Sequence, residues 1–311
     1  MFGIRSLQKQ GVLGMNRRNA DYISRYNPRH LYPLVDDKTR TKTLALEVGI
    51  QVPELFGVIE VEHQLRSLGD IVARHDAFVV KPANGSGGNG ILVIDGRMNG
   101  QFRKLNGQFL HLDEIAHHIS NILSGMYSLG GQPDKALIEY RVEFDPLFEK
   151  VSYQGVPDIR IIAFQGVPVM AMARLPTRQS GGRANLHQGA VGVGIDIAKG
   201  ITTGGVWRNR AVSVHPDTGA DIANIAIPRW DHLLELAARC YDLTGLGYLG
   251  VDVVLDRHLG ALVLEMNARP GLSIQIANRA GLLHRLRQVE ACAPSASDPL
   301  ARAQLCVALF A

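Results

Sequence analysis

Residues Phe78–Asp95 read FVVKPANGSGGNGILVID, and the order strand, glycine turn, strand within them decides the fold. FVVK and ILVI are short runs of branched and aromatic residues, the composition of β-strands. Between them Gly85, Gly87, Gly88 and Gly90, with Ser86 among them, leave a backbone nearly bare of side chains. N–H groups in such a turn can approach an anion closely. Gly85, Gly87 and Gly90 form a literal G-x-G-x-x-G, yet a dinucleotide fold requires a helix after the glycines, and here a strand follows. No G-x-x-x-x-G-K-[ST] occurs, which removes the P-loop. The segment reads as a flap over phosphates, a device protein kinases also use, with Lys81 at its mouth as a fixed positive charge. The competing reading is a plain surface hairpin with a solvated lysine.

Two further segments carry charge inside apolar strands. In GVDVVLD and LVLEMNARPG, Asp252, Glu265 and Asn267 are hard oxygen donors. Alternation along a strand puts Glu265 and Asn267 on one side and Leu264 and Met266 on the other. Oxygen ligands on one face suit magnesium shared with nucleotide phosphates; the competing reading is a solvated strand end. Asp252, flanked by Val and Leu, would be costly without a partner. In PDIRIIAF, Asp158 and Arg160 are two apart and share a face, and Arg174 lies at the far end of the return strand VPVMAMAR. Arg183, Asn185 and His187 follow in a polar, glycine-bearing loop. Guanidinium groups make bidentate bonds to phosphate and carboxylate. His187 reads as a hydrogen-bonding positioner before it reads as a general base.

Around these segments, helices are predicted over Lys38–Val48, Glu62–His75, Asp113–Gly125 and Trp230–Leu243. Strands are predicted at FVVK, ILVI, LIEY, IRIIAF, VPVMAMA, VDVVL and ALVLEMN, several joined by short turns, which indicates α+β with antiparallel sheets. Ala293–Pro299 has linker composition, leaving 291–311 as a peripheral tail. With 46% hydrophobic and 20% charged residues in 311, the chain is globular and neither disordered nor fibrous. The excess of 33 basic over 29 acidic residues is concentrated in the first 45 residues, a basic segment for an anionic ligand or an acidic protein surface, or a solvated face. Three cysteines without metal or redox spacing suggest a reducing compartment. The absence of a long apolar run or signal-peptide core gives the expectation of a cytoplasmic protein with no membrane span.

Taken in order, the Lys-Pro plus glycine flap, IEY, DIR, RANLHQGA, GVD and LEMNARPG resemble the ATP-grasp superfamily, and within it the ribosomal-protein S6 glutamate ligase type, over roughly Asp36 to Arg287. The resemblance implies an α+β ATP-grasp fold of two α+β lobes with ATP between them. The smaller lobe would span about 36–130 and the larger about 131–290, after a basic segment 1–35 in place of most of the usual preceding domain. It further implies that Lys81, Gly85, Ser86, Gly87 and Gly88 meet ATP phosphates, that Glu139 and Tyr140 lie at the adenine hinge, and that Asp158 meets the ribose side. Arg183 and Asn185 match triphosphate-side residues; Asp252, Glu265 and Asn267 match magnesium ligands. Arg160, Arg174 and Arg269 are implied as contacts to the γ-phosphate or the acid.

The implied cofactors are ATP and two magnesium ions, with manganese as a substitute. The implied activity is carboxylate–amine ligation through an acyl phosphate, with glutamate or another amino acid and an amine or peptide acceptor. No nucleic acid is expected, and the missing part of the substrate cleft would be absent, rebuilt by the basic N-terminal segment, or supplied by a protein partner or second copy. The alternatives are a phosphotransferase and a non-catalytic nucleotide-binding partner. Three departures bear on substrate choice: the short stretch before Asp36, the longer segments VEFDPLFEKVSYQGVP and Ile201–Ile227, and Arg269 where the glutamate ligases carry a small residue.

Overall fold

The computed structural model describes residues 9–85, 87–292 and 298–311. The chain divides into two compact units, a smaller one of Asp37–Thr43 with Val52–Glu143 and a larger one of the remainder.

In the smaller unit, strands β1 (Leu55–Ile59), β2 (Phe78–Pro82), β3 (Leu92–Met98), β4 (Gln101–Lys104), β5 (Phe109–Leu110) and β6 (Ala136–Tyr140) form one sheet. Its order is β1-β6-β2-β3-β4-β5, with antiparallel neighbours throughout. Helix α1 (Lys38–Glu47) begins in this unit, and α2 (Leu68–Val72) and α3 (Leu112–Leu123) lie within it. Helix α3 carries Ile115, Ile119, Ile122 and Leu123 at helical spacing, and all are buried against Phe78, Val80 and Ile138 of the sheet. Glu114 Oε2 accepts from His111 N at 2.8 Å and so satisfies an amide at the start of α3. The helix expected over Glu62–His75 is divided into a 3₁₀ segment, Glu62–Ser67, followed by α2. Gln64 explains the tighter turn: its Oε1 accepts from the amides of Glu60 and Val61, at 2.7 and 3.2 Å.

The larger unit holds β7 (Asp158–Phe164), β8 (Val167–Leu175), β9 (Val191–Asp196), β10 (Ile201–Trp207), β11 (Arg210–Val212), β12 (Tyr248–Asp256) and β13 (Gly260–Asn267). Their antiparallel order is β11-β10-β9-β8-β7-β12-β13. Helices α4 (Trp230–Thr244), α5 (Ser273–Asn278), α6 (Leu283–Cys292) and α7 (Pro299–Phe310) pack on it. Ile159, Ile161, Ala171, Ala173, Val251 and Val253 are buried. Strand β9 reads VGVGID because α5 runs close over it: a Cβ on Gly192 or Gly194 would stand 3.3 Å from the Ala277 side chain or 2.8 Å from its carbonyl oxygen.

Both ends of the described chain are tied into this unit. Asn27, buried, donates from Nδ2 to the carbonyls of Tyr248 and Ala268 and accepts from Tyr248 N, each at 2.8 Å. Tyr22 and Tyr26 meet Phe164 edge-on. Leu13 N donates to Gln275 Oε1, and the Leu13 carbonyl accepts from Gln275 Nε2. The expected peripheral tail is corrected: α7 buries Arg302, Ala303 and Cys306, and Arg302 Nη2 reaches Asp242 Oδ2 on α4 at 2.6 Å. The amphipathic signal was masked because its inward face carries an arginine. Among the described residues no helix is long and apolar enough to cross a membrane.

Candidate functional site

In the smaller unit, antiparallel register places Glu139 of β6 beside Val79 of β2 and Lys81 beside Leu137. Lys81 is buried, and its Nζ lies 2.5 Å from Glu139 Oε1. From α1, Lys42 Nζ approaches Glu139 Oε2 at 2.9 Å and also donates to the Pro53 carbonyl at 2.5 Å. One buried carboxylate therefore sits between two buried ammonium groups. Burial acts to raise the Glu139 pKa, but Lys81 and Lys42 outweigh it and hold the carboxyl below its ordinary value. Burial lowers Lys42 to about 8, with Glu139 opposing and Lys81 assisting. Lys81 is thus a root of the flap strand with a buried counter-ion, a different setting from the solvated lysine of a plain hairpin. Tyr140 ends β6, where its amide donates to the Glu54 carbonyl at 2.8 Å.

The glycine turn has backbone that only glycine holds without strain: Gly87, Gly88 and Gly90 have φ of 66°, 78° and 75°. Gly85 forms an isolated antiparallel bridge with Ser128. Ser86 lies outside the described residues.

In the larger unit, register collects the other charged residues on one face. Asp158 of β7 is paired with Arg174 of β8, while Asp252 of β12 is paired with Arg160 of β7 and Glu265 of β13. Arg160 grips Asp252 with two bonds, Nε to Oδ1 at 2.7 Å and Nη2 to Oδ2 at 2.6 Å. Arg174 grips Asp158 in the same way, both bonds at 2.5 Å, and its Nη2 also reaches Asp252 Oδ2 at 2.8 Å. All four side chains are largely buried, where bidentate guanidinium–carboxylate geometry offsets desolvation. Burial alone would raise Asp252, yet Arg160 and Arg174 hold it down to about 2. At Asp158 burial prevails over Arg174 and, with the neighbouring Asp252 charge, pushes the carboxyl up to about 6.

The expected alternation on β13 is modified by a bulge. Asp252 is opposite Glu265 and Val253 opposite Val263, so Leu264 is the extra residue and is half-buried rather than inward. Glu265 and Asn267, paired with Asp252 and Gly250, still share the charged face. Asn267 Nδ2 is buried without a hydrogen-bond partner. The oxygen chemistry of Glu265 and Asn267 fits a magnesium ion, whereas both Asp252 oxygens are engaged by guanidinium. Among the described residues no group of three or more His, Cys, Asp or Glu side chains is disposed around a metal.

Beyond β8, Asn185 Oδ1 accepts from His187 N at 3.0 Å and starts a 3₁₀ turn, and Arg183 and His187 are exposed. Arg269 is exposed, with its guanidinium 4.9 Å above the Tyr32 ring. The two long segments meet this loop: Tyr153 N donates to the Pro176 carbonyl, Thr218 Oγ1 to the Lys150 carbonyl, and Arg178 N to Asp217. Sequence reasoning missed Lys42. The signal was Glu139 itself, since an acid inside the apolar run ALIEY demands buried cations, and Lys38 and Lys42 stand four apart on the preceding helix.

A family model described as sugar-transfer associated ATP-grasp matches residues 17–291. Among solved structures, the biotin carboxylase domain of 2-oxoglutarate carboxylase from Hydrogenobacter thermophilus, crystallised with MgADP, ADP and bicarbonate, is 13% identical. That match covers 84% of this chain and 46% of that one, with a TM-score of 0.50. The ATP-grasp ligase PsnB, complexed with a minimal precursor, is 14% identical over 86% of this chain at a TM-score of 0.47. D-cycloserine synthetase DcsG is 15% identical, covering 86% of this chain and 72% of that one, also at 0.47. The chain spans about three fifths of the length of PsnB, 62%. No curated protein matches.

Proposed function

The chain belongs to the sugar-transfer associated ATP-grasp family, and from that premise we propose that it is an ATP-dependent ligase joining a carboxylate to an amine through an acyl phosphate. The observation that carries the reading is the single sheet face on which Arg160 and Arg174 are aligned by Asp158 and Asp252, with Glu265 opposite Asp252. The two aspartates occupy the Nε/Nη2 edge of each guanidinium and so fix both in place, and the fixed positive charge and the remaining Nη1 donor of each suit an oxygen of a transferring phosphoryl group or of the carboxylate that attacks it.

On this reading Lys81, Lys42 and the backbone of Gly85, Gly87 and Gly88 bind ATP phosphates, and Ser86 joins them. Arg183 and Asn185 face the triphosphate, Glu139 and Tyr140 the adenine, and Asp158 the ribose side. Glu265 and Asn267 would hold magnesium, joined by Asp252 where an arginine yields one of its oxygens; the ion would neutralise phosphate charge. Arg160, Arg174 and Arg269 orient the acid so that its carboxylate oxygen attacks the γ-phosphorus, and ADP leaves with the bridging oxygen. The acyl phosphate is then attacked at carbon by the amine, which loses a proton and releases phosphate. The acid is an amino acid, with glutamate the first candidate from the motif resemblance, and the acceptor is an amine or peptide in the cytoplasm. Fold alone does not select a substrate.

The decisive test separates this from transfer to a hydroxyl. Hydroxylamine in place of the amine should yield a hydroxamate that forms only with ATP, magnesium and the correct acid. Acid labelled with heavy oxygen in its carboxylate should deliver one label atom to the released phosphate. A stable phosphoester as sole product, or amide accompanied by unlabelled phosphate, would overturn the mechanism.

A further inference from the structure

The smaller unit fastens its glycine turn at both ends with groups that have no place in the site assigned above. At the entry, Lys38 Nζ donates to the carbonyls of Ala83 and Gly85 at 3.1 and 2.9 Å. The buried Asp134 carboxylate accepts from the Asn84 amide at 3.0 Å, from Asn84 Nδ2 at 2.8 Å, from Ser128 Oγ at 3.1 Å and from its neighbour Lys135 N at 2.7 Å. At the exit, His118 Nε2 bonds the Gly90 carbonyl at 2.9 Å, and a Cβ at Gly90 would lie 2.6 Å from the Tyr127 ring. A carbonyl only accepts, so His118 presents Nε2–H; burial lowers its pKa and the bond to Gly90 opposes that shift.

We propose that Asp134 and Lys38 are positioning residues that hold the turn in its phosphate-binding shape before nucleotide arrives. A glycine-rich turn has the greatest backbone freedom of any sequence, and ordering it on binding would weaken affinity. Asp134 removes that freedom by taking both the backbone and the side chain of Asn84 and tying them to Ser128, the bridge partner of Gly85. Lys38 secures the carbonyls on either side of Asn84. This also accounts for the residues Asp37–Thr43 joining the smaller unit while the rest of α1 does not. The inference rests on the proposed ATP binding by this turn.

The test uses the whole chain with Asp134→Asn and, in case that variant fails to fold, Lys38→Met. Without nucleotide, amide hydrogen exchange over residues 83–90 should quicken by about tenfold or more in each variant, with β6 and α3 unchanged. The Kd for ATP should rise by about tenfold, the worth of one charge-assisted bond, with a smaller change in kcat than in KM. Unchanged exchange in the turn would overturn the anchoring, as would faster exchange with wild-type ATP affinity. Wild-type protein that binds no ATP would defeat the functional reading instead, a failure visible without either variant.

Discussion

Arg174 holds two carboxylates at once: it bonds Asp158 through Nε and Nη2, and the same Nη2 reaches Asp252 at 2.8 Å. The two acids consequently titrate as neighbours, with Asp158 at about 6 and Asp252 at about 2. Asp158 binds its proton more tightly folded than unfolded, so its contribution to stability is largest below its ordinary value of 3.8 and declines as pH rises through 6. Asp252 has the opposite sign, contributing above 3.8 and losing that contribution as pH falls towards 2. In urea unfolding, the stability difference between wild type and Asp158→Asn should therefore shrink by about 2 kcal/mol between pH 4 and 6. A difference that is flat or grows over that interval would refute the assignment.

Glu139→Gln should destabilise the chain by about 3 kcal/mol, the cost of leaving buried ammonium groups without their counter-ion. Lys42, already at about 8, should fall further and become more reactive towards acylating reagents near neutral pH than it is in the wild type. Lys81→Ala should weaken ATP binding and also cost stability, because it strips Glu139 of one partner. Calorimetric titration and urea midpoints on the same preparations separate the two effects.

Glu265→Gln should abolish magnesium-dependent ATP turnover while the protein stays folded, since Glu265 is half-buried and its loss removes charge without volume. Circular dichroism and a magnesium titration of phosphate release check this. Wild-type magnesium dependence in the variant would remove Glu265 from the metal site.

Asn27→Ala should cost about 2–3 kcal/mol, because it orphans the buried amide of Tyr248 and two carbonyls. One of those carbonyls belongs to Ala268, next to Asn267, so ligation should suffer in excess of the stability loss. Urea unfolding and turnover, measured below the melting range, would show whether the two losses separate.

Much of this was legible because apolar patterning and charge coincide. Asp158, Arg160, Asp252 and Glu265 stand out as ions in strands of Val, Ile and Leu, and the antiparallel hairpins bring them to one face. Strand β9 was not legible: its glycines at 192 and 194 satisfy the close approach of α5 and erase the alternating pattern. The bulge at Leu264 was equally hidden, being a property of the pairing with β12 rather than of the residues 260–267. Lys42 escaped notice because its counter-ion is almost a hundred residues away, and helix spacing alone reads it as a solvated charge. The family match to residues 17–291 supports the superfamily, and the model that matches is the sugar-transfer associated one.

The meeting of the two long segments with the 176–189 loop has a consequence for engineering. A Cβ on Gly155 would lie 1.8 Å from the carbonyl oxygen of Gly182, and one on Gly182 would lie 2.9 Å from that of Gln154. The Tyr153–Pro176 and Thr218–Lys150 bonds add to this contact, so each segment is cut to the outline of its neighbour. A chimaera that receives one of these pieces alone inherits a backbone collision or an open seam, whereas one that receives 142–157, 176–189 and 201–227 together inherits a finished surface. A designed exchange in this part of the molecule should therefore move the three-segment assembly as one block rather than the single loop.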